Sequence, residues 1–330
     1  MPSPIRNTND AGPPTLDHVI GQSRVIAKLK VAVEAAFADG EPLPHALLTG
    51  PPGTGKTLLG KVLAREMAGE FHEVLGQSIF GVGCLNGLLM TPTSPRAVIM
   101  IDEAHEADPS VQVALYKALD EGKVFVGNAQ RQSLSKLDIQ PFTLILATTD
   151  PQNLLPPLRD RMKMICQLRR YEAADLSRIL RQRCGQLGWE VEQEVLDAVA
   201  VRSFGTPRLA LRLLDSIRRS GRAEGDSAIT TAHATHAFEL EQVDGLGLDA
   251  DSRLYLDILA TNRRPTRLSV IASRLGQPPE AVSRVIEPNL LWLGLIERND
   301  RGRSLTSKGI EHLRNGSSDS NAHVSEERTQ

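Results

Sequence analysis

Aromatic residues are nearly missing from this chain: Phe, Trp and Tyr together make up 4% of its 330 positions. Its cores must therefore be aliphatic. Cysteine is as scarce. Cys84, Cys166 and Cys184 lie far apart with no CxxC, which argues against a disulfide framework or a cysteine-based zinc site. The eight histidines form no ligand cluster in sequence; His233 and His236 share a helical face, but no third ligand lies near them. No apolar run approaches the length of a membrane span, and the opening "MPSPIRNTNDAGPP" has no hydrophobic signal region. The expectation is a cytoplasmic protein with no membrane partner. Neither sign of charge is in excess. With 38 basic and 40 acidic residues the formal net charge is -2, so bulk charge does not draw this molecule to nucleic acid, and any such surface has to be local.

What is present is ordinary for a soluble globular protein: 41% apolar and 24% charged residues, in a chain long enough for two or three domains. Residues 1–14 and 316–330 are polar and are expected to be disordered. Between them the pattern changes twice. In the stretch 15–170, "HALLTG", "AVIMID" and "TLILATT" are continuous apolar runs bounded by turn residues, as expected of strands buried on both faces. "TLLGKVLAREMAG" and "PSVQVALYKALDEG" between them have helical spacing. Strand alternating with helix predicts an α/β core with a parallel sheet. Over 171–246 only helices are predicted, a small helical lid. Over 247–315 three helices precede "LIERNDRGRSLTSKG", two short strands about a turn, which is the layout of a winged helix. No internal repeat or coiled-coil heptad occurs.

"GPPGTGKT", Gly50 to Thr57, fits G-x-x-x-x-G-K-[ST] without a mismatch and lies between a predicted strand and a predicted helix. Gly50, Pro51, Pro52, Gly53, Thr54 and Gly55 form a loop whose backbone N–H groups can face phosphates, aided by the positive end of the helix that follows. Lys56 would sit on the β- and γ-phosphates, and Thr57 would ligate Mg²⁺. This motif predicts ATP or GTP binding. Further on, "AVIMIDEAH" is an apolar strand ending in two carboxylates. Asp102 would hold the Mg²⁺ through its water shell, and Glu103 would orient and deprotonate the attacking water. His105 reads as a capping or surface residue. The third apolar strand ends in "ATTD", which would bring Thr148 or Thr149 beside the γ-phosphate.

Three arginines are open to two readings. Arg159 and Arg161 in "PLRDR" follow the third strand, and Arg208 in "GTPR" opens a helix of the lid. Taken alone each reads as a surface arginine paired with a carboxylate. An arginine supplied during phosphoryl transfer, however, raises the rate by about 10³–10⁵.

The order and spacing of "TLDHVIGQ", "GPPGTGKT", "IDEAH", "PFTLILATT", "PLRDR" and "GTPRLALRLL" resemble those of the AAA+ ATPases. Among these the chain looks most like the RuvB family of Holliday-junction branch-migration motors, and the likeness reaches into "EPNLLWLGLIERNDRGRSLT". The resemblance implies an ATP- and Mg²⁺-dependent ATPase that translocates double-stranded DNA at four-way junctions as a hexameric ring, with a RuvA-like junction-binding partner. It implies that Thr148 or Thr149 is sensor 1, that Arg161 is a finger acting on the neighbour's nucleotide (Arg159 the lesser alternative), and that Arg208 is sensor 2. It places Ile20 and Gly21 at the adenine. Alternatives are an ATP-gated DNA-binding regulator that switches without travelling, and another AAA+ remodeller such as a clamp loader.

Between Asp251 and Asn315 there are eleven Lys and Arg against seven Asp and Glu, a net of +4. That local excess suits phosphate contacts, which position a protein without reading sequence. Arg301 and Arg303 at the wing tip and Arg284 on the third helix are the candidates. The chain also departs from the family. Gly12 stands where an arginine usually precedes the "LD…IGQ" box, and "RMKMI" lacks the usual aromatic after the second finger arginine. "EVLGQSIFGVGCLNGLLMTPTSPRA" matches poorly. In "KVFVGNAQRQSLSKLDI", Ser135 and Leu137 fall where the family's hairpin docks its partner through apolar residues. Motor residues match and partner residues do not, the pattern of a divergent paralogue with an intact ATPase and a changed partner.

Overall fold

The computed structural model describes residues 12–128, 133–262 and 264–315. Two compact units emerge. The first runs up to Trp189 and includes Thr206–Leu211; the second has Glu190–Gly205 and the chain from Arg212 onward.

The first unit is built on five parallel strands: β1 (Ala46–Thr49), β2 (Phe71–Leu75), β3 (Val98–Asp102), β6 (Thr143–Thr148) and β7 (Met164–Gln167), in the order β2-β3-β6-β1-β7. A separate antiparallel pair, β4 (Lys123–Asn128) and β5 (Ser133–Asp138), forms a hairpin. Helices α1 (Ser23–Asp39), α2 (Lys56–Glu66), α3 (Val82–Leu89), α4 (Pro109–Glu121), α5 (Pro156–Arg159) and α6 (Ala173–Leu187) complete the unit. The helices cover both faces of the sheet because successive strand residues point to opposite sides. Val98, Met100, Ile145 and Ala147 pack with α1 and α2 residues such as Leu29, Val33, Leu59 and Leu63. Their neighbours Ile99, Ile101, Leu144 and Leu146 pack with Leu85, Leu89, Val111 and Leu115 of α3 and α4. Burial on both sides is why the three central strands read as unbroken apolar runs. The two edge strands escape that pattern. β2 has no fully buried residue, and β7 alternates buried Met164 and Cys166 with exposed Ile165 and Gln167.

Local chemistry fixes where the helices begin. Asp108 caps α4, its carboxylate accepting from the Ser110 amide at 2.7 Å with Pro109 in the first turn. Gly55 precedes α2 with φ +99°, a backbone conformation that a β-carbon would oppose.

The second unit takes in α7 (Gln193–Val201), the continuation of α8 (Pro207–Glu224) past Arg212, and α9 (Thr231–Leu240). The helices α10 (Ala250–Thr261) and α11 (Leu268–Leu275) follow. The third helix of this region starts as α12 (Pro279–Ala281), widens to a π turn at Val282–Ile286 and ends as α13 (Glu287–Trp292). Pro288 has no N–H to give the carbonyl four residues back, which accounts for the widening at Arg284. Strands β8 (Ile296–Asn299) and β9 (Gly302–Leu305) pair antiparallel as the wing, and residues 307–315 form a closing helix. Thr266 adds a bridge to Arg303, so the α10–α11 turn is stitched to the wing.

Candidate active site and DNA-binding surface

Strand β1 delivers the chain into the Gly50–Gly55 loop, and α2 starts at Lys56. Gly53 and Gly55 have φ +76° and +99°, and a β-carbon on Gly53 would meet Arg208 Cβ at 2.9 Å. The loop therefore folds as it does only with glycine there. Lys56 Nζ donates to the carbonyls of Gly50 and Pro51 at 2.9 and 3.2 Å. Burial pulls its pKa down, and the carboxylates of Glu103 and Asp102 oppose that fall. Thr57 Oγ1 donates to Asp102 Oδ2 at 2.6 Å. A hydroxyl and a carboxylate side by side at a phosphate loop form a hard oxygen pair suited to Mg²⁺.

Glu103 sits just past β3 in the left-handed region, φ +45° and ψ +49°. A non-glycine residue held there is strained, and its surroundings must over-determine it. They do. Its amide donates to Asp102 Oδ1 at 2.9 Å, while its Oε2 accepts from the Thr149 amide and hydroxyl at 3.2 and 3.1 Å. Thr149 is thus the threonine that reaches Glu103. Thr148 is fully buried, pairs with His105 Nδ1 at 2.9 Å and accepts from the Asp150 amide. His105, expected to be a cap or surface residue, lies instead 3.4 Å from Glu103 Oε2. The contact with Thr148 was not legible because that threonine is 43 residues away in sequence.

A cavity of about 380 Å³ opens over this cradle. Pro52 to Thr57, Asp102, Glu103 and Arg208 line it, and so does Ile20. Gly50 and Pro51 act through their carbonyls on Lys56 instead. Gly21 stands behind the wall: a β-carbon there would meet the Tyr171 ring at 2.7 Å, and Tyr171 itself lines the cavity. Tyr171 Oη donates to the Thr54 carbonyl at 3.3 Å, and burial raises its pKa. Sequence reasoning missed Tyr171 and the α6 residues Ile179, Gln182, Arg183 and Gln186 that complete the wall. Their spacing of three and four is the only signal that could have found them.

Arg161 is not among these residues. Its Nε donates to Asp120 Oδ1 at 2.7 Å, Nη2 to the other Asp120 oxygen and Nη1 to the Pro157 carbonyl, and the guanidinium lies 4.9 Å from the Tyr116 ring centre. Arg159 makes a long 3.4 Å contact to the Pro151 carbonyl. Neither reaches the cavity of its own chain.

In the wing, Asn299 Oδ1 accepts from the amides of Arg301 and Gly302, closing a turn that leaves Arg301 exposed. Arg303 was expected beside it among the phosphate-reaching side chains. The structure turns it inward instead: Nε and Nη2 donate to the two oxygens of Glu287 at 2.7 and 3.2 Å, and Glu287 also accepts from Tyr255 at 2.8 Å. Glu287 is 1% exposed. A buried carboxylate needs such a partner, and a bidentate arginine supplies it. Arg284 is exposed, as are Arg298 and, around a hollow of about 510 Å³ at the α10–α11 turn, Arg264, Arg267 and Arg274. Among the described residues neither Arg301 nor any of these five arginines has an ion-pair partner.

One smaller expectation needs revision. His233 has carboxylates beside it after all: Asp226 Oδ2 at 3.1 Å and Glu224 Oε2 at 3.4 Å from Nε2. Its Nδ1, however, accepts the Thr230 amide at 3.1 Å, which leaves the proton on Nε2 to be donated to those acids. The ring is a cap with both nitrogens used, not a ready metal ligand. On the hairpin, Leu137 faces Val124 and Ser135 faces Val126, with Val126 and Leu137 40% and 39% exposed. The rest of the hairpin's predicted docking stretch, residues 129–132, lies outside the described residues.

The chain matches the P-loop domain of the Holliday junction DNA helicase RuvB over residues 12–168, the RuvB AAA lid domain over 171–244 and the RuvB C-terminal winged-helix domain over 245–314. The chain belongs to the RuvB family. A Paramagnetospirillum magneticum protein, Holliday junction branch migration complex subunit RuvB, is 37% identical over 319 residues, covering 94% of this chain and 92% of that one. The solved Thermotoga maritima RuvB Holliday junction branch migration motor has a TM-score of 0.78 and 35% identity, over 92% of this chain and 98% of that one. The Aeropyrum pernix ORC2 protein, at 14% identity and a TM-score of 0.54, shares the fold alone. The parallel core, helical lid and winged helix are therefore those of a RuvB-family AAA+ ATPase.

Proposed function

We propose that this chain is the ATP- and Mg²⁺-dependent motor of branch migration at four-way DNA junctions, working in the cytoplasm as a ring, most simply a hexamer. The observation that carries the reading is the set Thr57–Asp102–Glu103–Thr149, hydrogen-bonded in sequence in a protein of the RuvB family. Lys56 and Thr57 hold the phosphates and Mg²⁺, with Asp102 steadying the metal's shell. Glu103 takes the proton of the attacking water. Thr149 fixes Glu103 and serves as sensor 1, and Arg208, beside Gly53 at the loop, serves as sensor 2. Arg161 lies outside its own cavity, which suits a finger offered to the neighbouring subunit. That use requires Asp120 to release it.

The core, lid and winged helix divide at residues 15–170, 171–246 and 247–315. Arg284 and Arg301, with the exposed Arg264, Arg267, Arg274 and Arg298, form the phosphate-facing surface of the winged helix, and Arg303 holds the wing in shape. Contacts of this kind do not depend on base sequence, as a travelling motor requires. The junction-binding partner is a RuvA-like protein that meets the β4–β5 hairpin, where Ser135 weakens the apolar match. Steady-state ATP hydrolysis by the purified protein tests the reading, measured alone, with linear duplex and with a four-way junction, with and without such a partner. Stimulation largest for the junction and absent in Lys56→Ala is expected. Hydrolysis at the Lys56→Ala level under every condition would remove the motor.

A further inference from the structure

Three cationic side chains line the nucleotide cavity, and the phosphate cradle accounts for two of them, Lys56 and Arg208. The third is Arg183. It sits on the face of α6 that also carries Ile179, Gln182 and Gln186, and both glutamines reach across to the segment that forms the far wall. Gln182 Nε2 donates to the His18 carbonyl at 2.9 Å and Gln186 Nε2 to the Gly12 carbonyl at 3.5 Å. Arg183 lies between them in sequence and lines the same cavity, so it belongs to the wall formed by residues 12–20 and α6. Apart from the two glutamines, whose amides are spent on those carbonyls, the residues around it are apolar: Pro13, Val19, Ile20, Leu58 and Ile179.

Among the described residues no carboxylate pairs with Arg183, and no hydrogen bond or ring contact holds it. It is partly buried, and burial pulls its pKa below the ordinary arginine value. A guanidinium in that position has lost water without gaining an acceptor. Since Lys56, Arg208 and the loop amides already answer the phosphates, the group left for this end of the cavity is the nucleoside. A planar guanidinium suits it in two ways: it can lie flat on a purine ring, and it can donate to ring nitrogens or ribose hydroxyls. Gly12, which lines the same cavity, adds no side chain to compete for that space.

We propose that Arg183 binds the purine nucleoside of the nucleotide and supplies the part of its affinity that the phosphates do not. This rests on the nucleotide-site reading above. Titration calorimetry on the full chain tests it, with Mg²⁺–ADP and with inorganic tripolyphosphate, a probe that has the phosphates and no nucleoside. For Arg183→Ala the ADP affinity falls about tenfold, as loss of a desolvated cation–π and hydrogen-bonding contact implies, while tripolyphosphate binding is unchanged. Arg183→Lys, which keeps the charge and loses the plane, recovers only part of the loss and guards against a folding artefact. An ADP affinity unchanged within twofold, or equal losses for ADP and tripolyphosphate, would overturn the proposal. A native chain that binds neither probe would overturn the nucleotide site itself.

Discussion

Arg301 and Arg303 are two residues apart in the same turn, yet their replacement by alanine is expected to have opposite effects. Glu287 is 1% exposed and accepts three hydrogen bonds, two of them from Arg303. Arg303→Ala leaves that carboxylate buried with Tyr255 alone. Breaking a buried pair from one side costs about 3–5 kcal/mol, and the partial exposure of Arg303 argues for the lower end, about 3 kcal/mol. For a region the size of the winged helix each kcal/mol moves Tm by roughly 4–8 °C, so a drop of at least about 10 °C is expected. Arg301 is exposed and, among the described residues, has no ion-pair partner. Arg301→Ala should change stability by no more than about 0.5 kcal/mol. Instead it should weaken duplex binding and lower the salt slope, log K against log [salt], by about 0.9 for the lost phosphate contact. Scanning calorimetry of the full chain and a salt titration of DNA binding read the two effects. Equal melting temperatures for the two variants would refute the assignment of Arg303 to the wing's interior.

His45 gives a pH dependence. Its Nδ1 accepts the Leu144 amide at 3.0 Å, and burial, with Lys163 adding to it, lowers its pKa to about 4. The unfolded chain, with a histidine pKa near 6.5, binds the proton first, so stability is full above about pH 6.5 and falls as pH drops toward 4. A loss on the order of 3 kcal/mol is expected across that window, flattened in His45→Gln, and denaturant titrations at several pH values check it. Thr149→Val should lower kcat by about 10²-fold with ADP affinity unchanged, because only the hold on Glu103 is lost; equal kcat would return sensor 1 to Thr148. Arg161→Ala should lower kcat about 10³-fold at unchanged ADP affinity, and mixing it with a Lys56→Ala chain should restore part of the activity if the finger acts between subunits.

Much of this was legible in the sequence because its signals are contiguous. The Gly50–Thr57 loop and the three central strands carry their motif or their burial in adjacent residues, and the winged helix follows from three helical periods and a turn. The edge strands Phe71–Leu75 and Met164–Gln167 were not legible, since one open edge leaves them short and half polar. Arg303 was misplaced for a related reason. An arginine in "NDRGR" reads as solvated, and its partner Glu287 is 16 residues away. The same distance effect hid the His105–Thr148 contact, and the α6 residues were missed because residues 12–20, which Gln182 and Gln186 reach, are more than 160 positions away.

The most direct test of the motor is the movement of a synthetic four-way junction followed in real time by strand-exchange fluorescence, with the purified chain and its RuvA-like partner. The account predicts junction movement that needs hydrolysable ATP, stops in Glu103→Gln and stops in Arg161→Ala. ATP hydrolysis that proceeds under these conditions while the junction stays fixed would contradict it.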